Sequence, residues 1–182
     1  MKVQPRRSEE RKDGSEEGPL FAIEFRENQR MKSFLNPADK KNILERLRNV
    51  RPDSKRLWGR MTSHQMICHL SDSFRSRLGE KEISPAGNIF TRTAVKWIAL
   101  YAPMRWPPGA KTRPEVDQEI GGTPPGDFER DRQQLVELIE RFTASPKNAE
   151  FRPHPIFGDM SEFEWMRWGY LHCDHHLRQF GL

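Results

Sequence analysis

Apolar residues recur along this chain at the three-and-four spacing of helices and nowhere settle into the alternation of a strand. In "NPADKKNILERLRNV", Ile43, Leu44 and Leu47 make a short stripe behind a helix start: Asn36 can cap, Pro37 suits the first helical position and Asp39 lies in the first turn. "MTSHQMICHLSDSFRSRLG" predicts a second helix. Thr62 and Gln65 form a capping box, Gly79 supplies the stop, and Met66, Ile67, Leu70, Phe74 and Leu78 share one face. "NIFTRTAVKWIALYA" predicts a third helix that must end before Pro103.

From Pro103 to Gly126 there are six prolines and four glycines, which predicts a long loop of the kind that serves either as a lid or binding segment or as a solvated connection. "GDFERDRQQLVELIERFTAS" is the next long helix. Asp127 caps it, and Phe128, Leu135, Leu138, Ile139 and Phe142 form its apolar face. After the turn-rich "FRPHPIFGDM", a capping box of Ser161 and Glu164 opens a last helix that runs to Gly181. The fold class expected from these elements is all-α, a bundle of four to five helices.

Composition adds two boundaries. Residues 1–30 mix seven Lys/Arg with seven Asp/Glu around one apolar cluster, Leu20–Ile23, so they are expected to be a disordered polar tail, with a single folded domain over 31–182. The longest apolar run, near Trp97–Ala102, is far short of a membrane span, and no apolar leader segment follows the N-terminus. Two cysteines, Cys68 and Cys173, make no disulfide framework, so a reduced, cytoplasmic setting is expected. The net charge of +5 could favour an anionic ligand or nucleic acid, but the basic residues are scattered and no nucleic-acid motif is present, so nucleic acid is not the expected partner.

The candidate chemistry lies in the closing "YLHCDHHLRQFGL". Half of the six histidines, His172, His175 and His176, fall within five residues. At about 100° per residue, His172 and His176 straddle the direction of Trp165, whereas Arg167, Asp174 and Arg178 lie opposite, on the face expected to be wet. An inward pair at i and i+4 is costly unless it is satisfied by hydrogen bonds or by a metal ion, for which imidazole is a common ligand. A third ligand would come from His64, His69 or His154, with Cys68 a further candidate; helical phase does not choose among them.

"WGRMTSHQMICHL", "PPGAKTRPEVDQEIGGTPPGDFERDR" and "HPIFGDMSEFEWMRWGYLHCDHHLRQFGL" together resemble the DinB/YfiT-like superfamily, and more narrowly one of its domain-of-unknown-function branches. The resemblance runs from about Met31 to Leu182, and "HCDHHLRQF" is its most specific part. It implies a four-helix up-and-down bundle carrying a three-histidine metal site. Matched residue by residue, the ligands would be His69, His172 and His176. His64 would then be a surface or capping residue and His154 a loop residue.

The function so implied is a divalent-metal-dependent enzyme, with Zn, Ni or Fe as the ion. It would be a thiol-dependent or other group transferase, or a hydrolase, acting on a small molecule such as a low-molecular-weight thiol. His175, at the edge of the inward face, is the expected catalytic acid or base. Asp72 is read as a solvated helix residue, or else as a support for His69. The alternative is a non-catalytic helical bundle that binds a metal or a partner, and a homodimer through one helix face is compatible with either.

Overall fold

The computed structural model describes residues 31–144 and 152–182; the tail expected over 1–30 lies outside the described residues. Five α-helices and no strand among the described residues make the fold all-α: α1 (Pro37–Arg48), α2 (Ser63–Arg77), the short α3 (Lys96–Tyr101), α4 (Phe128–Ala144) and α5 (Glu162–Gln179). None of them is long and apolar enough to cross a membrane.

The helix starts follow the sequence signals. Asn36 accepts the Ala38 N–H at 2.8 Å through its side chain. Thr62 with Gln65 and Ser161 with Glu164 both close as reciprocal capping boxes, and Asp127 accepts the Arg130 N–H at 2.9 Å. The third helical segment departs from a uniform α-helix. A π-helical turn, Thr91–Val95, precedes α3, and it carries no buried residue. Only Val95 of this turn packs against the core, and an apolar pattern alone does not distinguish the wider turn from the α form.

The core is built mainly by α2 and α4, whose contact is the most extensive between elements, and by α5, which touches α1, α2 and α3. Ile43, Leu47, Met66, Ile67, Leu70, Phe74, Leu135, Ile139, Phe142 and Leu177 are fully buried. Fully burying one such side chain contributes about 1.5–3 kcal/mol. At Gly169 on α5 a Cβ would sit 2.9 Å from the Phe34 ring and 3.0 Å from the Phe142 ring. The absence of a side chain there is what lets the Phe34–Phe142 edge-to-face pair reach the helix backbone.

Two expectations of solvent exposure fail, that for Arg167 from helical phase and that for Asp72 as a solvated helix residue. Arg167 is buried, donating from Nε to the Leu100 carbonyl at 2.6 Å and from Nη1 to the Lys32 carbonyl at 2.6 Å. Asp72 is fully buried, not solvated. It accepts the Thr123 backbone N–H at 2.7 Å and the Thr123 hydroxyl at 2.6 Å, and it pairs with Arg75 and Lys81, each at 3.2 Å. Neither of its oxygens bonds a histidine. A phase argument assumes that a helix has one wet face. Here α5 is covered on its back by α1 and α3, and α2 is enclosed by α4, α5 and the long loop.

Candidate metal centre

The two capping boxes set the registers of α2 and α5, and those registers bring three imidazoles to one point. One ring nitrogen from each of His69, His172 and His176 lies within 4.8 Å of the others. His69 Nε2 and His172 Nε2 are 3.2 Å apart, and the His172 and His176 ring centroids are 4.9 Å apart, as the i, i+4 spacing requires. Two nitrogens bound tetrahedrally to one zinc at about 2.0–2.1 Å stand about 3.3 Å apart.

Hydrogen bonds on the far side of the rings fix which nitrogen is free. His69 Nδ1 lies 2.7 Å from the Val116 carbonyl, which can only accept, so Nδ1 carries the proton and Nε2 offers its lone pair to the cluster. His176 Nδ1 lies 3.1 Å from Gln179 Oε1, and Gln179 in turn donates from Nε2 to the Trp58 carbonyl at 2.9 Å. The amide is thereby oriented, and His176 also presents Nε2 as a lone pair. Gly59, at a φ of +76°, lies directly behind this amide: a Cβ there would come within 2.5 Å of Gln179 Nε2. The third member is less supported, since His172 Nδ1 is buried without a hydrogen-bond partner among the described residues.

Charge agrees with this geometry. Burial first, and then neighbouring imidazoles, hold His172 and His176 well below the ordinary histidine range; burial also lowers His69, against the Val116 bond that raises it. The rings are therefore neutral near pH 7, the form that binds metal. His172 Nε2 faces the His69 lone pair at 3.2 Å, a contact that either the His172 ring proton or a cation satisfies; three neutral imidazoles at this spacing fit a divalent cation.

His175 borders the cluster, with its ring 5.1 Å from His176 and 6.1 Å from Trp58. Its Nδ1 is buried without a partner among the described residues, and burial, followed by Arg178, lowers its pKa. It is thus a neutral imidazole able to accept a proton. Trp168, 4.9 Å from the His172 ring, and Trp106, 6.2 Å from both His172 and His175, wall the site with apolar surface. Trp106 and Val116 belong to the long loop, so that segment builds the site rather than merely bridging two helices.

The remaining candidates lie apart from this cluster. His64 is half-buried and donates from Nε2 to Asp131 Oδ2 at 2.7 Å, so it is neither a surface residue nor a simple cap. With Cys68 and Asp131 it forms a second group of potential ligands within 4.8 Å. Yet Asp131 Oδ2 already accepts the Gly126 N–H at 2.9 Å as well as His64, and burial, followed by Asp131, pushes the Cys68 thiol up to about 12. That set is satisfied as a hydrogen-bonded group. Cys173 is fully buried, and burial raises its thiol. His154 accepts the Ile156 and Phe157 N–H groups at 3.2 and 3.1 Å through Nδ1 and stacks on Phe157. Burial, followed by Arg77, lowers it to about 3.

Sequence reasoning did not find Val116, Gln179 or Trp106 as parts of the site. Gln179, three residues after His176 on the same helix, was within reach of an i, i+3 argument. "HPIFG" marked His154 without assigning it a role. Val116 acts through a backbone carbonyl, which any residue supplies, so no sequence signal exists for it.

These buried neutral imidazoles give stability a definite pH dependence. Their folded pKa values lie below the unfolded value of about 6.5. Below that value the unfolded chain binds protons that the folded chain refuses. The stability is therefore fully present above about pH 6.5 and is lost as pH falls toward each folded value, by about 1.4 kcal/mol per pH unit for each group. The urea midpoint should be level above pH 7 and fall as pH drops below about 6.5. A flat profile on entering the acid range would show that the imidazoles are not held neutral.

A family model described as "Protein of unknown function (DUF1569)" matches residues 29–181 of this chain. No curated protein matches it, and no solved structure does.

Proposed function

For a chain that belongs to the DUF1569 family, we propose a divalent-metal-dependent enzyme whose ion is held by His69, His172 and His176. The observation that carries this reading is the pair of outward hydrogen bonds, to Val116 and Gln179, that leave two Nε2 lone pairs converging on a third imidazole. Two of the three rings are turned so that Nε2 faces inward, the orientation a shared cation requires. The DinB/YfiT-like likeness and the four-helix up-and-down bundle belong to the same proposal. Support for them comes from the four long helices α1, α2, α4 and α5, and from the position of the histidines on the second and last of these.

Three protein ligands leave at least one coordination position for a reactant, as in catalytic sites and unlike closed structural ones. A zinc, nickel or iron ion held there would supply Lewis acidity toward a thiol, water or carbonyl. The chain's own residues would do the rest. Trp106 and Trp168 exclude water from the reacting side, and His175 takes or returns a proton beside the ligands. The reaction class is group transfer, with a small-molecule thiol as the nucleophile; hydrolysis is the same arrangement with water in the thiol's place.

Elemental analysis of tag-free protein tests the premise. About one divalent ion per chain is expected after purification or after reconstitution with zinc. Protein that stays metal-free after reconstitution, while folded, would favour the non-catalytic reading.

A further inference from the structure

Next to the imidazoles lies a cavity of about 490 Å³, within the range that holds a small organic molecule. Its lining is largely apolar and aromatic, with Trp106, Trp165, Trp168, Ile98 and Phe157, and it includes His69, His172, His175 and His176. The polar part of the lining is unusual in sign. Arg77, Arg105, Lys111, Arg113 and Arg152 all line the cavity, and no aspartate or glutamate does.

Part of this charge is committed to the fold. Arg77 donates from Nη1 to the Arg152 carbonyl and lies 3.9 Å over the Trp165 ring; Arg113 donates to the Ser84 hydroxyl and stands 3.8 Å from Glu115; Arg152 pairs with Glu82 at 3.3 Å. Arg105 and Lys111 are different. Both are exposed on the long loop, and neither forms an ion pair or side-chain hydrogen bond among the described residues. Two uncommitted cations at the edge of an apolar chamber without carboxylates make a specific demand on its occupant. An amine would meet only like charge, and a purely apolar molecule would leave the cations unmatched.

We infer that this cavity takes a small amphipathic anion, with its apolar body against the tryptophans and its carboxylate, phosphate or sulfonate on Arg105 and Lys111. This rests on the proposed reading in one respect: the cavity is taken as the substrate side of the three-histidine site. It names a substrate class for that site, an apolar or aromatic molecule tagged by one negative group remote from the reacting atom. The loop would then provide recognition and the histidine end the chemistry, so binding energy gained at the anion positions the other end of the molecule.

The test uses full-length, tag-free protein, zinc-loaded and chelator-stripped, with zinc content measured on each sample. The probes are 4-phenylbutyrate, 4-phenylbutanamide and 4-phenylbutylamine, followed by calorimetry near pH 7.5. The acid should bind at least about tenfold more tightly than the amide, and the amine more weakly still, in both preparations. The Arg105→Gln/Lys111→Gln double substitution, at two exposed loop positions, should remove the acid's advantage and leave amide binding unchanged.

Equal binding of acid and amide, an acid preference present only with zinc bound, an acid preference that survives the double substitution, or no binding by any probe would each overturn the inference. The two readings fail separately. A protein that takes up no zinc yet keeps the acid preference loses the metal reading alone, and one that binds zinc without preferring the acid loses this inference alone.

Discussion

Replacing His176 with alanine should weaken divalent-metal binding by at least about 100-fold, because removing merely an outer hydrogen-bond partner of a metal ligand already costs 10–100-fold. The same loss is expected for His69→Ala and His172→Ala, since no other imidazole lies within the 4.8 Å group that could take the missing place. Gln179→Ala should give a smaller loss, near the lower end of that 10–100-fold range, through the freed orientation of His176. His64→Ala is the counter-experiment. His64 belongs to the separate group with Cys68 and Asp131, where Asp131 Oδ2 already accepts from His64 and the Gly126 N–H and the thiol stays protonated. Its loss should leave affinity unchanged. Zinc titration against a competing chromophoric chelator measures all five proteins. Loss in His64→Ala with none in His176→Ala would move the ion to the other cluster, and equal loss in both would overturn this choice of ligands.

Asp72→Ala should cost about 3 kcal/mol or more of folding stability, the scale expected when one partner of a buried charged network is removed. The carboxylate is the anchor of the long loop. It fixes Thr123 through both backbone and hydroxyl, and it neutralises Arg75 and Lys81 where they lean over α2. Removing it leaves the Thr123 N–H and hydroxyl without their acceptor and releases the loop that carries Val116. The carbonyl of Val116 orients His69, so metal affinity should fall along with stability even though Asp72 bonds no histidine. Urea unfolding monitored by circular dichroism gives the first number, and the chelator competition gives the second. Asp72→Asn should recover part of the stability, because the amide oxygen can still accept from Thr123. A loss under about 1 kcal/mol for Asp72→Ala would mean that the network does not hold the loop.

What the sequence disclosed follows the range of its physical signals. Caps and apolar stripes are local, so Asn36, Thr62, Asp127 and Ser161 marked their helices from the residues alone. The His172/His176 pair was equally local, because one helix carries both rings. The meeting of that pair with His69 depends on how α2 packs against α5, which phase could not decide; only the family resemblance singled out His69. Arg167 was misplaced because an amphipathic reading grants every helix a solvated side, and Asp72 because a charged helix residue was taken to be solvated; both helices are covered nearly all round. The role of the long loop was hidden for another reason. Its contributions are one carbonyl, one indole and two uncommitted cations, and none of these has a spacing rule.

X-ray absorption at the zinc edge of the reconstituted chain tests the central claim most directly. The account predicts a first shell of about three imidazole nitrogens at about 2.0–2.1 Å, falling by one in His69→Ala. A sulfur scatterer near 2.3 Å, which would place the ion at Cys68, or a first shell untouched by His69→Ala, would contradict it.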